Sequence, residues 1–242
     1  MIQARSLCGD DPEVVHYDGA ELHFLGTLVL HNWFQPIDDA VVPAPRCGAG
    51  IALCFMTQKS VFLEVGGFDE RMFILYEDND FSWRLRMTGR SVTVVPDAQC
   101  LHLGGTKGLS MRSPDAEYPA RRTFLHCRNR WIVVAANMRL WTLLLTLPAQ
   151  LGYALLYTVF ATSRGNLWAA LRGHFAAVAA LPHIWRRRSI QSLRSVPDRE
   201  LLIALPMTPN PGLADRGAKA FVRRTSDRCF SLYWSLVRRA CG

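Results

Sequence analysis

Three carboxylates, Glu77, Asp78 and Asp80, fall within four residues, directly after an apolar run at 72–76. An amphipathic segment at 81–87 follows, then a β-type run at 91–95, then Pro96-Asp97-Ala98 and a histidine, His102. Acids so placed fit the first turn of a helix, where unpaired backbone amides and the macrodipole favour negative charge. Asp80 and Arg84 are four apart, so an ion pair along the helix can hold one acid in place. Glu77 and Asp78 are then left to face whatever lies above the helix start. A carboxylate within hydrogen-bond reach of a hydroxyl can act as its general base. Acids that merely satisfy a helix N-terminus give the same local pattern. A lone histidine is either a structural hydrogen-bonding group or a metal ligand.

The elements that must position these residues are legible in outline. Cys47-Gly48-Ala49-Gly50 opens an apolar run at 51–56 that reads as a buried strand. Thr57 can cap a helix over about 58–65, and Gly66 and Gly67 end it. The run at 91–95 and a short one at 99–101 read as strands, so a β–α–α–β alternation predicts an α/β sheet. Residues 1–46 are polar and broken by Pro12, Pro36, Pro43 and Pro45, with β character at 21–30 and turns at Gly19 and Gly26. They read as a loop-rich connection or a surface extension. The glycine-rich 103–108 lacks P-loop spacing and reads as a connector or a loop over phosphates. Residues 116–138 read as a helix bearing Arg121, Arg122, Arg128 and Arg130, either solvated charges or, at Arg128 and Arg130, groups that could meet a diphosphate.

Taken together, Gly66-Gly67-Phe68-Asp69-Glu70, Tyr76-Glu77-Asp78-Asn79-Asp80, Trp83-Arg84, Val95-Pro96-Asp97-Ala98 and His102 resemble one known pattern. It is that of the second half of the catalytic domain of family-2 inverting glycosyltransferases, in particular the rhamnosyltransferase-like branch. The resemblance covers residues 47–131. It implies a partial GT-A (Rossmann-like) α/β domain that binds a nucleotide-sugar donor and a glycan or lipid-linked acceptor. Asp78 would be the general base and Glu77 would orient it or the acceptor. Asp80 and Arg84 would support the helix start beside the acceptor, and Trp83 would line the acceptor pocket or pack in the core. Gly48 and Ala49 would lie close to the donor sugar, unless they serve only close packing of a turn. His102 would ligate a divalent metal, Mg or Mn, beside the diphosphate. The donor-binding half of such enzymes, with its Asp-x-Asp motif, has no counterpart here. Asp10-Asp11 and Asp38-Asp39 lack that spacing. The resemblance therefore implies a missing N-terminal half, a partner that supplies it, or a non-catalytic transferase remnant that binds a membrane or a partner, and a sheet with an exposed edge.

The 242 residues divide into three expected parts: 1–138, the acceptor-side transferase region; 139–194, an apolar helical region; and 195–242, a proline-containing linker with a basic amphipathic tail. Residues 1–185 carry 16 basic and 16 acidic side chains, whereas 186–242 carry 12 and 4. The excess points the tail at an anionic membrane surface; nothing in it resembles a nucleic-acid module, so no nucleic-acid partner is expected. Residues 140–163 carry no charge and include Pro148 and Gly152. They suit a spanning helix, an interfacial or re-entrant pair, or a buried helical hairpin. The protein is accordingly expected on the cytoplasmic side of the membrane, peripheral or integral through 140–163. Seven cysteines without a CxxC pair read as small hydrophobes in a reducing compartment.

Overall fold

The computed structural model describes residues 1–41, 46–103, 118–208 and 217–242. Pro43, Pro45, the glycine-rich 104–108, the helix start expected at 116–117 and the linker prolines at 209 and 211 lie outside them. In chain order the strands are β1 (Ile2–Cys8), β2 (Val14–Tyr17), β3 (Ala20–Leu22), β4 (Leu28–Leu30), β5 (Gln35–Pro36), β6 (Arg46–Cys47) and β7 (Phe55–Met56). Helices α1 (Lys59–Glu64) and α2 (Glu77–Met87) then precede β8 (Val92–His102). Six helices complete the chain: α3 (Ala120–Asn137), α4 (Leu140–Ser163), α5 (Leu167–Ala179), α6 (Leu181–Arg187), α7 (Asp198–Leu201) and α8 (Gly217–Val237). The architecture is mixed α/β.

The main sheet runs β5-β2-β1-β8-β6, with β7 also paired to β1. β1 and β8 are parallel; the other pairings are antiparallel. The segment read as a loop-rich extension thus supplies the central strand. Its strand character is hidden because alternate buried positions are polar: Gln3 is fully buried and Arg5 and Ser6 nearly so. The Gln3 side-chain oxygen accepts from the Ile51 amide at 2.7 Å, and Arg5 makes a bidentate ion pair with Asp18, its shortest contact 2.7 Å. Buried polar groups so paired are compatible with a strand that a hydrophobicity pattern cannot reveal. The sheet ends on two-residue strands at both edges, one carrying Pro36, which leaves little ladder open to another chain. The expected edge liability is therefore small among the described strands.

Other expectations need local correction. Of residues 51–56 only Phe55 and Met56 are strand, and Leu53 and Cys54 are exposed, because the segment turns before it reaches β1. Gln58, not Thr57, precedes α1, with no side-chain cap. Gly66 and Gly67 do end that helix, at φ +83° and +58°. The two runs at 91–95 and 99–101 are one strand: Val95 pairs with Ala4 and Gln99 with Arg5, so Pro96-Asp97-Ala98 form a bulge. All seven cysteines are free thiols, but Cys54 and Cys229 are exposed, not buried.

Residues 79–85 of α2 are buried on every side, so the segment read as amphipathic is a core helix. α5 packs on α3 at Gly173, where a Cβ would lie 2.6 Å from the Phe124 carbonyl oxygen. α8 lays Trp234 on Phe24 with ring centroids 5.0 Å apart, and the Tyr233 hydroxyl donates to the Leu145 carbonyl at 2.6 Å. One hydrophobic core consequently runs from Ala20 to Cys241. The tail helix turns Phe230 and Trp234 into that core, while its Phe221, Leu232 and Leu236 stay exposed.

Candidate active site

The loop entering α2 is bent into an unusual course. Phe73, Leu75 and Tyr76 have φ of +63°, +68° and +78°, a region that costs a residue with a Cβ about 1–2 kcal/mol. Asn129 of α3 holds this loop: its amide nitrogen donates to the carbonyls of Met72, Ile74 and Leu75 at 3.0, 3.1 and 2.7 Å. Arg128 donates to the Arg71 carbonyl at 2.8 Å, and the Tyr76 hydroxyl contacts His126 Nδ1 at 3.1 Å. Asn79 closes the far side by donating to the Gly26 carbonyl at 2.9 Å. Arg128 and Arg130, which could have met a diphosphate, are engaged with protein. Arg130 is buried and donates to the Leu25 carbonyl and to Gln150 Oε1, at 2.8 and 2.6 Å.

Held this way, Glu77 and Asp78 begin α2 half-buried and without a cationic partner among the described residues. Asp78 Oδ1 accepts from the Asn79 amide at 2.7 Å. Glu77 Oε2 is buried with no hydrogen-bond partner among the described residues. Burial, and after it the neighbouring Asp78 charge, push Glu77 up to about 7. Burial pushes Asp78 up to about 6, against the backbone amides of Asn79, Asp78 and Ala52, which favour its charged form. The two titrate as a pair. They can hold or accept a proton near neutral pH, which is what a general base requires.

Asp80, three residues from Glu77, is in the opposite condition. It is fully buried, and its Oδ2 accepts from Arg84 Nη2 at 2.7 Å and from Arg187 Nη2 at 2.8 Å. Asn137 donates to Oδ1 at 2.8 Å. Arg84 also donates to the carbonyls of Val65 and Gly67, joining α2 to the glycine pair. Arg187 further pairs with Asp69 at 2.5 Å, and His183 contacts Asp69 at 2.7 Å. Burial opposes the Asp69 charge, but the His183 hydrogen bond and the Arg187 charge hold its carboxyl below the ordinary value. The expected Asp80–Arg84 pair exists, yet neither side chain is accessible. Trp83 is fully buried as well, so of its two expected places it takes the core. None of the three presents a side-chain surface to a donor or acceptor.

Gly48 and Ala49 are buried too. A Cβ on Gly48 would lie 2.3 Å from a Glu21 carboxylate oxygen, and Ala49 exchanges backbone hydrogen bonds with Ala20 at 2.8 and 2.9 Å. Close packing accounts for both. His102 ends β8 beside Cys8, and its Nδ1 lies 2.9 Å from Nδ1 of His16 on β2. Among the described residues no group of three His, Cys, Asp or Glu side chains is placed to hold a metal ion. His102 therefore has an imidazole beside it, and the described residues do not complete a cation site.

Two neighbours of the acid pair escape sequence reasoning. Tyr17 of β2 is buried, and its hydroxyl is pushed upward by burial and then by the Asp78 charge. Asn129 lies between Arg128 and Arg130 on α3, but only the loop backbone it clamps gives it a role. No sequence signal marks either one.

No protein-family model matches the chain. It is 30% identical over 135 residues to the N-acetylglucosaminyl-diphospho-decaprenol L-rhamnosyltransferase of Mycobacterium tuberculosis, in strains CDC 1551 / Oshkosh and ATCC 25618 / H37Rv alike. The match takes in 56% of this chain and spans 37% of the relatives' length. The chain is thus similar to a glycosyltransferase over somewhat more than half its length, within a mixed α/β fold.

Proposed function

We propose that this chain is the acceptor-side part of an inverting, family-2-type glycosyltransferase. It would move a sugar from a nucleotide-sugar donor to a lipid-linked or other cell-envelope glycan. The observation that carries the reading is the Glu77–Asp78 pair, held without a cationic partner at the start of α2 by a strained loop, in a chain similar to a rhamnosyltransferase. In this reading Asp78 takes the proton of the acceptor hydroxyl as that oxygen attacks the anomeric carbon. Glu77 orients the acceptor through its unpartnered oxygen. Asp80, Arg84 and Asn129 position the pair without touching substrate. A divalent cation, Mg or Mn, belongs to the reading as the counter-charge of the leaving diphosphate, with His102 as one ligand. The described residues supply no complete ligand set around it. The relatives' name gives a decaprenol-linked acceptor for those proteins, which supports a lipid-linked acceptor here; a place on the cytoplasmic side of the membrane belongs to the same proposal. The donor-binding half would come from further sequence or from a partner.

The test is transfer from a panel of nucleotide sugars to a polyprenyl-diphosphate glycan, with the chain purified from its own cells together with anything bound to it. Product formation that is lost in Asp78→Asn while the fold is kept is the expected result. A folded preparation that neither binds a nucleotide sugar nor transfers would make the chain a non-catalytic remnant that binds a membrane or a partner.

A further inference from the structure

Residues 118–197 contain eleven arginines and neither aspartate nor glutamate. This acid-free stretch holds α3 to α6, including α4, a helix apolar and long enough to cross a membrane but only 22% buried over its most apolar window. Twenty-four residues at 1.5 Å each make α4 about 36 Å long. Its buried positions Thr142, Thr146, Ala149, Gln150 and Ala161 lie on one side. Trp141, Leu144, Leu147, Leu151, Leu155 and Val159 are exposed at helical spacing on another side along the same length. Arg139 and Arg164 stand at its two ends, exposed and without an ion pair among the described residues.

The middle of α4 decides how such a helix can meet lipid. Gln150 accepts from the buried Arg130 at 2.6 Å and donates to the Phe24 carbonyl at 2.8 Å. If α4 spanned a bilayer, its midpoint would carry the Arg130 guanidinium and the turn after β3 into the hydrocarbon centre, where charge and open backbone are strongly disfavoured. If α4 lies flat, those groups stay on the protein side. Only the leucine stripe then enters the interface, with Trp141 beside one end and arginines at both.

We propose that α4 lies in the plane of an anionic phospholipid surface, with its leucine stripe immersed and Arg139 and Arg164 on the headgroups. Charge complementarity selects this occupant: the exposed arginines of this acid-free stretch, Arg121, Arg139, Arg164, Arg172 and Arg186, repel a second copy and attract an anionic bilayer. The surface is distinct from the basic tail helix, which turns Phe230 and Trp234 into the core but exposes Phe221, Leu232 and Leu236, so variants on α8 are the control that tells the two apart. The inference sharpens the proposed membrane location but needs none of the transfer chemistry, so it can fail or stand independently.

The experiment is co-sedimentation of the full chain with phosphatidylcholine vesicles, with and without phosphatidylglycerol. The expected result is binding to the anionic vesicles that is released by alkaline carbonate. It should fall by ~10-fold or more in Leu151→Glu/Leu155→Glu and about 5-fold for each of Arg139→Ser and Arg164→Ser. Arg224→Ser/Arg228→Ser on α8 should leave it unchanged. Circular dichroism of each variant separates lost binding from lost fold. Retention through carbonate would mean α4 spans. Loss of binding only in the α8 pair would assign docking to the tail. A dimer by light scattering that is broken by the leucine pair, with no vesicle binding, would assign the face to a second copy. Each of these three outcomes overturns the proposal.

Discussion

Asp69 and Asp80 on one side, and Glu77 and Asp78 on the other, come from the same twelve residues and meet opposite fates. The first two are drawn inward and tied to Arg84, Arg187 and His183, which come from α2 and α6. The second two follow a strained loop, are half-buried and have no cationic partner among the described residues. The first two are committed to ion pairs, whereas a carboxylate that is partly desolvated and has no cation beside it can take up a proton near neutral pH. The difference is set by partners that arrive from distant sequence. In the proposed reaction, chemistry and support therefore fall to neighbouring carboxylates.

The largest expected effect separates them by activity. In the proposed reaction Asp78→Asn removes the base and should lower kcat by ~10²–10⁴-fold, with the melting temperature kept or raised. Transfer assays on the variant and the parent, each checked by circular dichroism, measure this. Activity within a few-fold of the parent would exclude Asp78 as the base. The mirror experiment is Asp80→Ala. It leaves Arg84 and Arg187 buried around a lost charge and should cost ~3–5 kcal/mol in stability, read by denaturant unfolding. A loss below about 1 kcal/mol, the scale of an exposed pair, would show that Asp80 is no more structural than its neighbours.

A smaller effect tests what holds Glu77 and Asp78 in place. Asn129→Ala removes the amide nitrogen that contacts three carbonyls of the 72–75 loop and should cost about 1–3 kcal/mol. If Asn129 positions Asp78 and does not merely stabilise the fold, kcat should also fall by ~10-fold at a temperature where the variant is fully folded, with KM for the donor unchanged. Asn129→Asp is the sharper variant: it keeps the shape, but its oxygens face carbonyls and cannot donate.

How much of this was legible follows from where the partners lie. The Asp80–Arg84 pair is a local event on one helix turn, so spacing alone predicts it. The same spacing says nothing about Arg187, which joins from 107 residues away and turns a helix-surface pair into a buried network. The central strand β1 was missed because Gln3 and Arg5 look solvent-facing until Ile51 and Asp18 meet them. The single strand β8 looked like two because Pro96 interrupts it, and only its parallel partner reveals the bulge. Trp83, Gly48 and Ala49 are part of an arrangement that resembles a site, yet burial assigns all three to packing. Local sequence carried the start of α2 and the glycine stop of α1, whereas burial and long-range pairing decided which of the marked residues are accessible.

The smallest effect compares the two pairs by pH. Glu77 and Asp78 have folded values of about 7 and about 6, above their ordinary 4.5 and 3.8. Between those limits the unfolded chain releases protons that the folded chain keeps, so their contribution to stability is complete below about pH 4 and is lost as pH rises through 6 to 7. Asp69 runs the other way. Its folded value lies below 3.8, so its contribution is present above that pH and is lost as pH falls through the folded value. Glu77→Gln should therefore raise the melting temperature at pH 8 by ~2–4 °C, the shift expected for about 1 kcal/mol in a chain of this size. The gain should shrink to nothing near pH 4. His183→Ala, which takes a hydrogen bond from Asp69, should instead lower the melting temperature and move the onset of acid unfolding to higher pH. Thermal melts from pH 3 to pH 9 read both variants at once. Parallel curves for Glu77→Gln and the parent would mean that Glu77 and Asp78 are solvated surface groups, and the physical distinction between the two pairs would be lost.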